Sequence, residues 1–418
     1  MLPLITLLLS FCSPTIASPP SPKCARSPPP HPFHASLTTC LSPHSSFSHF
    51  PWTHPPYCLP PISPSLPPYC VFTHAALFLS LITTPDFAST TFLNPFLHFP
   101  PKPFFAPARL AVPRPYAVRD FPGKGKGAVA TRNIAKGTAV LVDRVSVLSE
   151  AEFPPGVGGK EVEGLLEVAV RRLGEPERVR GLARRGGRGM GVVEEVVLTN
   201  SFGVEVGGRG FMGLFVDVAR FNHACKPNAF IHFSPTTLSM TIWAARDIKP
   251  GEEITITYSA AGMTSKERLE TLEKVWGFAC TCSLCTSSTE ELGASDANRE
   301  EIRSLQEKVI DLAQQGQFRK SVAAAERMFS LIEEEGLTEQ MGDMYEVPAQ
   351  LYYRIGDLYK ALEYFRKARH EIDGYGVAGK LGEEKIRELE ELIQQIEREM
   401  EKKRTRKAKA KVKTNRKR

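Results

Sequence analysis

The run Phe215-Val-Asp-Val-Ala-Arg-Phe-Asn-His-Ala-Cys-Lys-Pro-Asn-Ala-Phe230 decides how this chain is read. Alone, an Asn-His pair is ordinarily turn or cap chemistry. Its neighbours change that reading. Residues 238–244 are strand-like, and Arg246-Asp-Ile-Lys-Pro-Gly-Glu-Glu-Ile-Thr-Ile-Thr-Tyr258 sets a turn at Gly251 before an alternating strand ending on Tyr258. Residues 265–275 have helical spacing, and Trp276-Gly-Phe-Ala-Cys-Thr-Cys-Ser-Leu-Cys285 follows them.

Upstream, Tyr116-Ala-Val-Arg119, Gly123-Lys-Gly-Lys-Gly127 and Ala128-Val-Ala-Thr-Arg-Asn-Ile-Ala-Lys-Gly137 read as strand, glycine turn, strand and short turn, with a further strand at 138–142. Glycines let the backbone approach a ligand closely. This Gly-x-Gly opens no helix, which argues against a dinucleotide site. Residues 149–195 read as a partly helical insertion, helical over 162–173 and broken by the Gly- and Arg-rich residues 181–191.

Asn-His-x-Cys-x-Pro-Asn, Gly-Glu-Glu-Ile-x-Ile-x-Tyr and Cys-x-Cys-x-x-Cys, in this order and with the glycine turn and Asn200-Ser201-Phe202 ahead of them, resemble the SET domain of protein lysine methyltransferases with its post-SET zinc cap. The resemblance covers about residues 114–286 and is nearest to SET-MYND enzymes, judging by Asn200-Ser201-Phe202, Phe278 and the helices that follow. It departs from them in lacking a MYND module, since Cys12, Cys24, Cys40, Cys58 and Cys70 do not supply that module's pairs.

The resemblance implies S-adenosylmethionine as cofactor, lined by Lys124, Gly125, Lys126 and Gly127 mainly through backbone groups. It implies that Asn200 and Asn222 bond the amino-acid and ribose ends, that His223 contacts the adenine through its backbone, and that Phe278 stacks on it. Tyr258 would stand where cofactor and substrate lysine meet, as the catalytic residue, with Phe215 and Trp276 along the substrate channel. Trp276 replaces a tyrosine that relatives often carry there. A strand tyrosine without this context is ordinarily a packing residue.

Tetrahedral zinc sites use thiolates at short spacings, and Cys280, Cys282 and Cys285 supply three. In SET relatives the fourth comes from the Asn-His-x-Cys run, here Cys225, and no other cysteine lies beyond residue 70. The implied metal is structural zinc. Buried free thiols are the alternative.

The rest of the chain is uneven. Of 34 prolines, 24 precede residue 111, with seven of the ten histidines and a single acidic residue, Asp86. Residues 1–110 read as a low-complexity, Pro-rich arm, disordered for want of a patterned face. A translated pyrimidine-rich leader, an artefact of the gene model, would have the same composition. Met1–Ser18 is superficially like a secretory signal but lacks a basic start, and the run at 75–82 is too short to span a bilayer.

Residues 287–400 read as an all-α domain. Residues 356–369 are tetratricopeptide-like, and 316–325 are a looser echo about forty residues earlier. A bundle packing on the catalytic part and a peptide-binding groove both fit. Residues 401–418 carry eleven Lys/Arg and one Glu; setting their net +10 against the chain's +7 leaves residues 1–400 at −3. Such a tail reads as a nuclear-localisation signal or a non-specific nucleic-acid contact.

The expected architecture is therefore α+β. A mainly-β SET domain with a zinc site (111–286) lies between a disordered arm (1–110) and a helical domain (287–400) with a basic tail (401–418). The expected function is S-adenosylmethionine-dependent lysine N-methylation of a histone or non-histone protein. It would act in the nucleus, with the cytoplasm as a second compartment and no membrane partner. The competing expectation is a catalytically inactive SET scaffold that binds protein partners through its helices.

Overall fold

The computed structural model describes residues 49, 51–61, 63, 66–89, 113–183, 190–235, 237–337, 345–374 and 380–415. The arm read from the sequence lies largely outside them, including Met1–Ser18, but not wholly. β1 (Tyr57–Cys58), β2 (Cys70–His74) and β3 (Leu79–Thr83) form an antiparallel unit, followed by the short α1 (Pro85–Ala88). Cys58 and Cys70 are joined by a disulfide.

For this segment the expectation of a disordered arm does not hold, and the reason is burial on both faces. Phe72, Leu79 and Leu81 belong to the largest core, whereas Val71 and Ile82 belong to a second core on the other side. A strand covered on both faces reads as a continuous apolar run without alternation. That is how 70–83 reads.

Next come β4 (Tyr116–Phe121), β5 (Gly125–Ala130), β6 (Ala139–Arg144) and β7 (Val147–Glu150). The insertion supplies α2 (Gly159–Arg171), α3 (Pro176–Arg180) and α4 (Val192–Asn200). Its buried Leu165, Leu166, Ala169, Val193 and Val196 close the second core over Val71 and Ile82. Ser80 Oγ donates to Ala169 O at 2.8 Å across this layer.

β8 (Ser201–Val206), β9 (Arg209–Leu214), β10 (Asn222–His223), β11 (Ala229–Ser234), β12 (Ser239–Ala244) and β13 (Glu253–Ile256) complete three sheets. Their orders are β1-β2-β3-β7-β9-β8, β10-β13-β5-β4 and β11-β12-β6. Leu81 pairs with Leu148 in parallel, so the N-terminal hairpin is continuous with the SET-like sheets. The other parallel pairing matters more for the site: Asn222 lies opposite Thr255 and His223 opposite Ile256.

α5 (Ser265–Thr271) starts on a capping box between Thr264 and Glu267 and widens into a π turn, Leu272–Trp276, that stops at Gly277 with φ 68°. The helical region is α6 (Thr289–Gln314), α7 (Phe318–Glu334), α8 (Glu346–Ile355), α9 (Leu358–Gly374) and α10 (Lys380–Asn415). The echo in the sequence is real geometry. Gly316 and Gly356 both adopt positive φ, and the residue after each donates back to Leu312 O and Tyr352 O, ending one helix and launching the next. The basic tail is not a separate segment: α10 continues through it to Asn415. Lys, Arg and Ala are good helix formers, and no Gly or Pro interrupts them.

Candidate active site

The β4–β5 turn carries Gly123 and Gly125 at φ 75° and 73°, a region where side chains are strained. From this turn Lys124 Nζ reaches Glu253 Oε2 at 3.1 Å, and Asn222 Nδ2 donates to Glu253 Oε1 at 2.8 Å. Gly127 lies under both. A Cβ there would meet Asn222 Nδ2 at 2.4 Å and Glu253 Oε1 at 3.0 Å. The structure thus brings Lys124, Gly127 and Asn222 together through Glu253, while Lys126 is exposed on β5. Glu253 was missed in the sequence reading.

Parallel pairing of β10 with β13 sets His223 opposite Ile256, and two residues further on the backbone of Tyr258 meets the His223 ring. Tyr258 N–H donates to His223 Nδ1 at 2.9 Å, and Tyr258 O–H donates to Phe221 O at 2.8 Å. Because Nδ1 accepts, a neutral His223 carries its proton on Nε2. Nε2 lies 3.3 Å from Cys225 Sγ. Asn228 holds β13 as well: its Nδ2 donates to Glu253 O at 2.9 Å and its Oδ1 accepts from Thr255 N–H at 2.8 Å.

Around Tyr258 the rings of Phe278, His223, Tyr258 and Trp276 succeed one another, with centroid separations of 6.4, 5.3 and 5.1 Å. Trp276 Nε1–H donates to Thr199 O at 2.9 Å, which ties the end of the π turn to the end of α4. Asn200 is the next residue, and its Nδ2 donates back to Val196 O. Phe215 stands elsewhere: it is fully buried in the main core between Phe202 and Phe233.

Cys225, Cys280, Cys282 and Cys285 converge, with all four Sγ atoms within 4.8 Å of one another. Among the described residues this is the group of His, Cys, Asp and Glu side chains able to hold a metal ion. Four largely buried thiols at this separation fit a tetrahedral thiolate site. Hydrogen bonds from Cys225, Cys280 and Cys285 hold the Cys282 thiol far below its ordinary pKa, while its neighbours push Cys285 up. The thiols share one small core with Leu272, Leu284, Phe278 and Trp276. Thiol cluster and aromatic run are therefore one packed unit.

Residues 125–259 match the SET domain family. This part of the chain is a SET domain. The sheet part of the SET domain and the helices after it agree with the α+β expectation. Among curated relatives, the chain is similar to histone-lysine N-methyltransferase set5 of Schizosaccharomyces pombe, 29% identical over 188 residues, or 45% of this chain and 56% of that protein. It is also similar to histone-lysine N-methyltransferase SMYD3 of Homo sapiens, 33% identical over 117 residues, covering 27% and 26% of the two chains. A third relative, histone-lysine N-methyltransferase SET5 of Scheffersomyces stipitis, is 40% identical over 73 residues, or 17% and 15%. The similarity thus spans about half the length of the first relative and less of the others. No helix among the described residues is long and apolar enough to cross a membrane.

Proposed function

We propose that this chain is an S-adenosylmethionine-dependent protein-lysine N-methyltransferase acting on a histone or another protein. The observation that carries the reading is the placement of Tyr258. Its hydroxyl is fixed on Phe221 O, its ring lies between His223 and Trp276, and the strand leading to it begins with Glu253, which gathers Lys124 and Asn222.

Bound S-adenosylmethionine would supply the methyl group, held by Lys124, Gly125, Lys126, Gly127, Asn200, Asn222, His223 and Phe278. A lysine amine has a pKa near 10.4 and must lose its proton before it can attack. Trp276 and Tyr258 offer it an apolar wall, and desolvation favours the neutral amine. The Tyr258 oxygen orients that amine and needs no proton transfer of its own. Alignment in a water-poor site then does most of the catalysis. Zinc on the four thiolates would have a structural role, holding the segment after Trp276 against the Asn222-His223 strand.

The exposed Lys402, Lys403, Arg404, Arg406 and Lys409 of α10 suit nuclear import and salt-dependent phosphate contact, which agrees with a nuclear substrate. The test is transfer of tritiated methyl from the cofactor to histones, nucleosomes and lysate proteins. Labelling by wild type and its loss in Tyr258→Phe are expected. Equal labelling by both would refute the role of Tyr258, and cofactor binding without any transfer would favour a scaffold.

A further inference from the structure

The buried Arg299 of α6 joins the helical region to the segments that follow the two strands of the site. Its guanidinium is about 1% exposed. Nη2 donates to Cys225 O at 2.9 Å, Nη1 to Ala261 O at 3.2 Å, and Nε to Glu335 Oε2 at 3.1 Å. Cys225 lies two residues after His223, and Ala261 three after Tyr258. One side chain thus grips the segments leading out of the two residues whose contact defines the site.

Glu335, just beyond α7, is itself buried and held by Ser295 Oγ at 2.6 Å and Asn298 Nδ2 at 3.2 Å, both from α6. Lys226, next to Cys225, approaches it at 3.9 Å. The loop after Tyr258 is seated on α6 as well. A Cβ at Gly262 would lie 3.1 Å from Arg303 Cβ, and Ser265 N–H donates to Asp296 Oδ1 at 2.6 Å.

We infer that Arg299 is a positioning residue for the methyl-transfer site, by which the helical region sets the spacing of the His223-Cys225 and Tyr258-Ala261 segments. A planar guanidinium offers five donors in a rigid fork. No other side chain satisfies two carbonyls and a carboxylate at once with fixed angles between them. A lysine would keep the charge opposite Glu335 and lose the fork. The inference rests on the methyltransferase reading only for its catalytic readout; its metal-site readout stands without it.

The test compares full-length wild type with Arg299→Lys, which avoids leaving Glu335 buried without a counter-charge. Thermal melting reports folding, the visible spectrum of the cobalt(II)-substituted protein reports thiolate geometry, and tritium transfer reports kcat and KM separately. Arg299→Lys is expected to fold with a lowered melting temperature, since buried acceptors lose donors, to shift the cobalt spectrum, and to lose about 10–100-fold in kcat with KM for the protein substrate little changed, the range found when partners behind metal ligands are removed. If the lysine variant does not fold, Arg299→Met combined with Glu335→Met replaces the buried pair by apolar groups of similar size, and must show the same changes. An unaltered cobalt spectrum together with unaltered kcat, in whichever variant folds, overturns the inference. A wild type without methyl transfer but with a shifted spectrum in the variant would sink the functional proposal and leave this one standing.

Discussion

Gly127 and Asn222 are in such close register that any side chain at residue 127 would strike the Asn222 amide, at 2.4 Å from its first carbon. Asn222 could not yield without breaking its 2.8 Å bond to Glu253. Gly127→Ala should therefore destabilise the fold only by the ordinary penalty of overpacking, about 1–3 kcal/mol. It should weaken cofactor binding far more than Gly123→Ala, which meets nothing within 4 Å although it strains a positive φ. Isothermal titration of both variants with S-adenosylmethionine decides it. Equal affinities would mean that Asn222 does not hold the cofactor.

Cys225→Ser should release zinc and abolish transfer together, because the thiol cluster and the aromatic run share one core. Metal content by atomic absorption, read beside activity, is the check. A variant that keeps its full metal content breaks the four-thiolate assignment.

Stability should depend on pH through Asp143. Burial, then the nearby Asp217, pushes its carboxyl up to about 6 from an ordinary value of 3.8. Its Oδ2 accepts the N–H groups of Asp217 at 2.6 Å and Val218 at 3.0 Å. Below about pH 4 both folded and unfolded chains hold the proton. Between about pH 4 and 6 only the folded chain does, so stability falls as pH rises through that window, by about 3 kcal/mol for this group. Asp143→Asn keeps an acceptor for both N–H groups and should lack that fall. Urea melts of the two proteins at pH 4, 5, 6 and 7 would show it; parallel curves would assign the dependence to other groups.

Ile82 is fully buried between the N-terminal hairpin and the insertion helices. Ile82→Ala should destabilise the protein by about 2–5 kcal/mol. A change under about 0.5 kcal/mol, the level of a surface substitution, would show that the hairpin is not part of the folded core. N-terminal peptide mass spectrometry adds an independent check, since translated residues 57–83 must be detectable.

Much of the site was legible because its chemistry lies in short, ordered motifs. Cys280, Cys282 and Cys285 stand out by type and spacing, the resemblance to the SET domain adds Tyr258, His223 and Cys225, and the structure brings all six together. Glu253 was not legible, because its role depends on a strand pairing that sets it against Lys124 and Asn222 from distant parts of the chain. Arg299 was hidden for a related reason: a charged residue in a charged helix looks solvated until the partner surface is known. Cys70–Thr83 misled because two-sided burial erases the period that marks a strand. For Phe215 the resemblance implies a place along the channel, while its ring packs in the core between Phe202 and Phe233.

The clasp between Arg299 and Glu335 also sets an order of assembly. Chains emerge from the ribosome N-terminus first and domains fold as units. The SET strands would be exposed before α6 and the end of α7 arrive, with Cys225 and Tyr258 present but their spacing not yet fixed. A nascent chain would then acquire its working geometry only after residue 335 has left the exit tunnel, so a message truncated before that point would yield SET strands without a finished site.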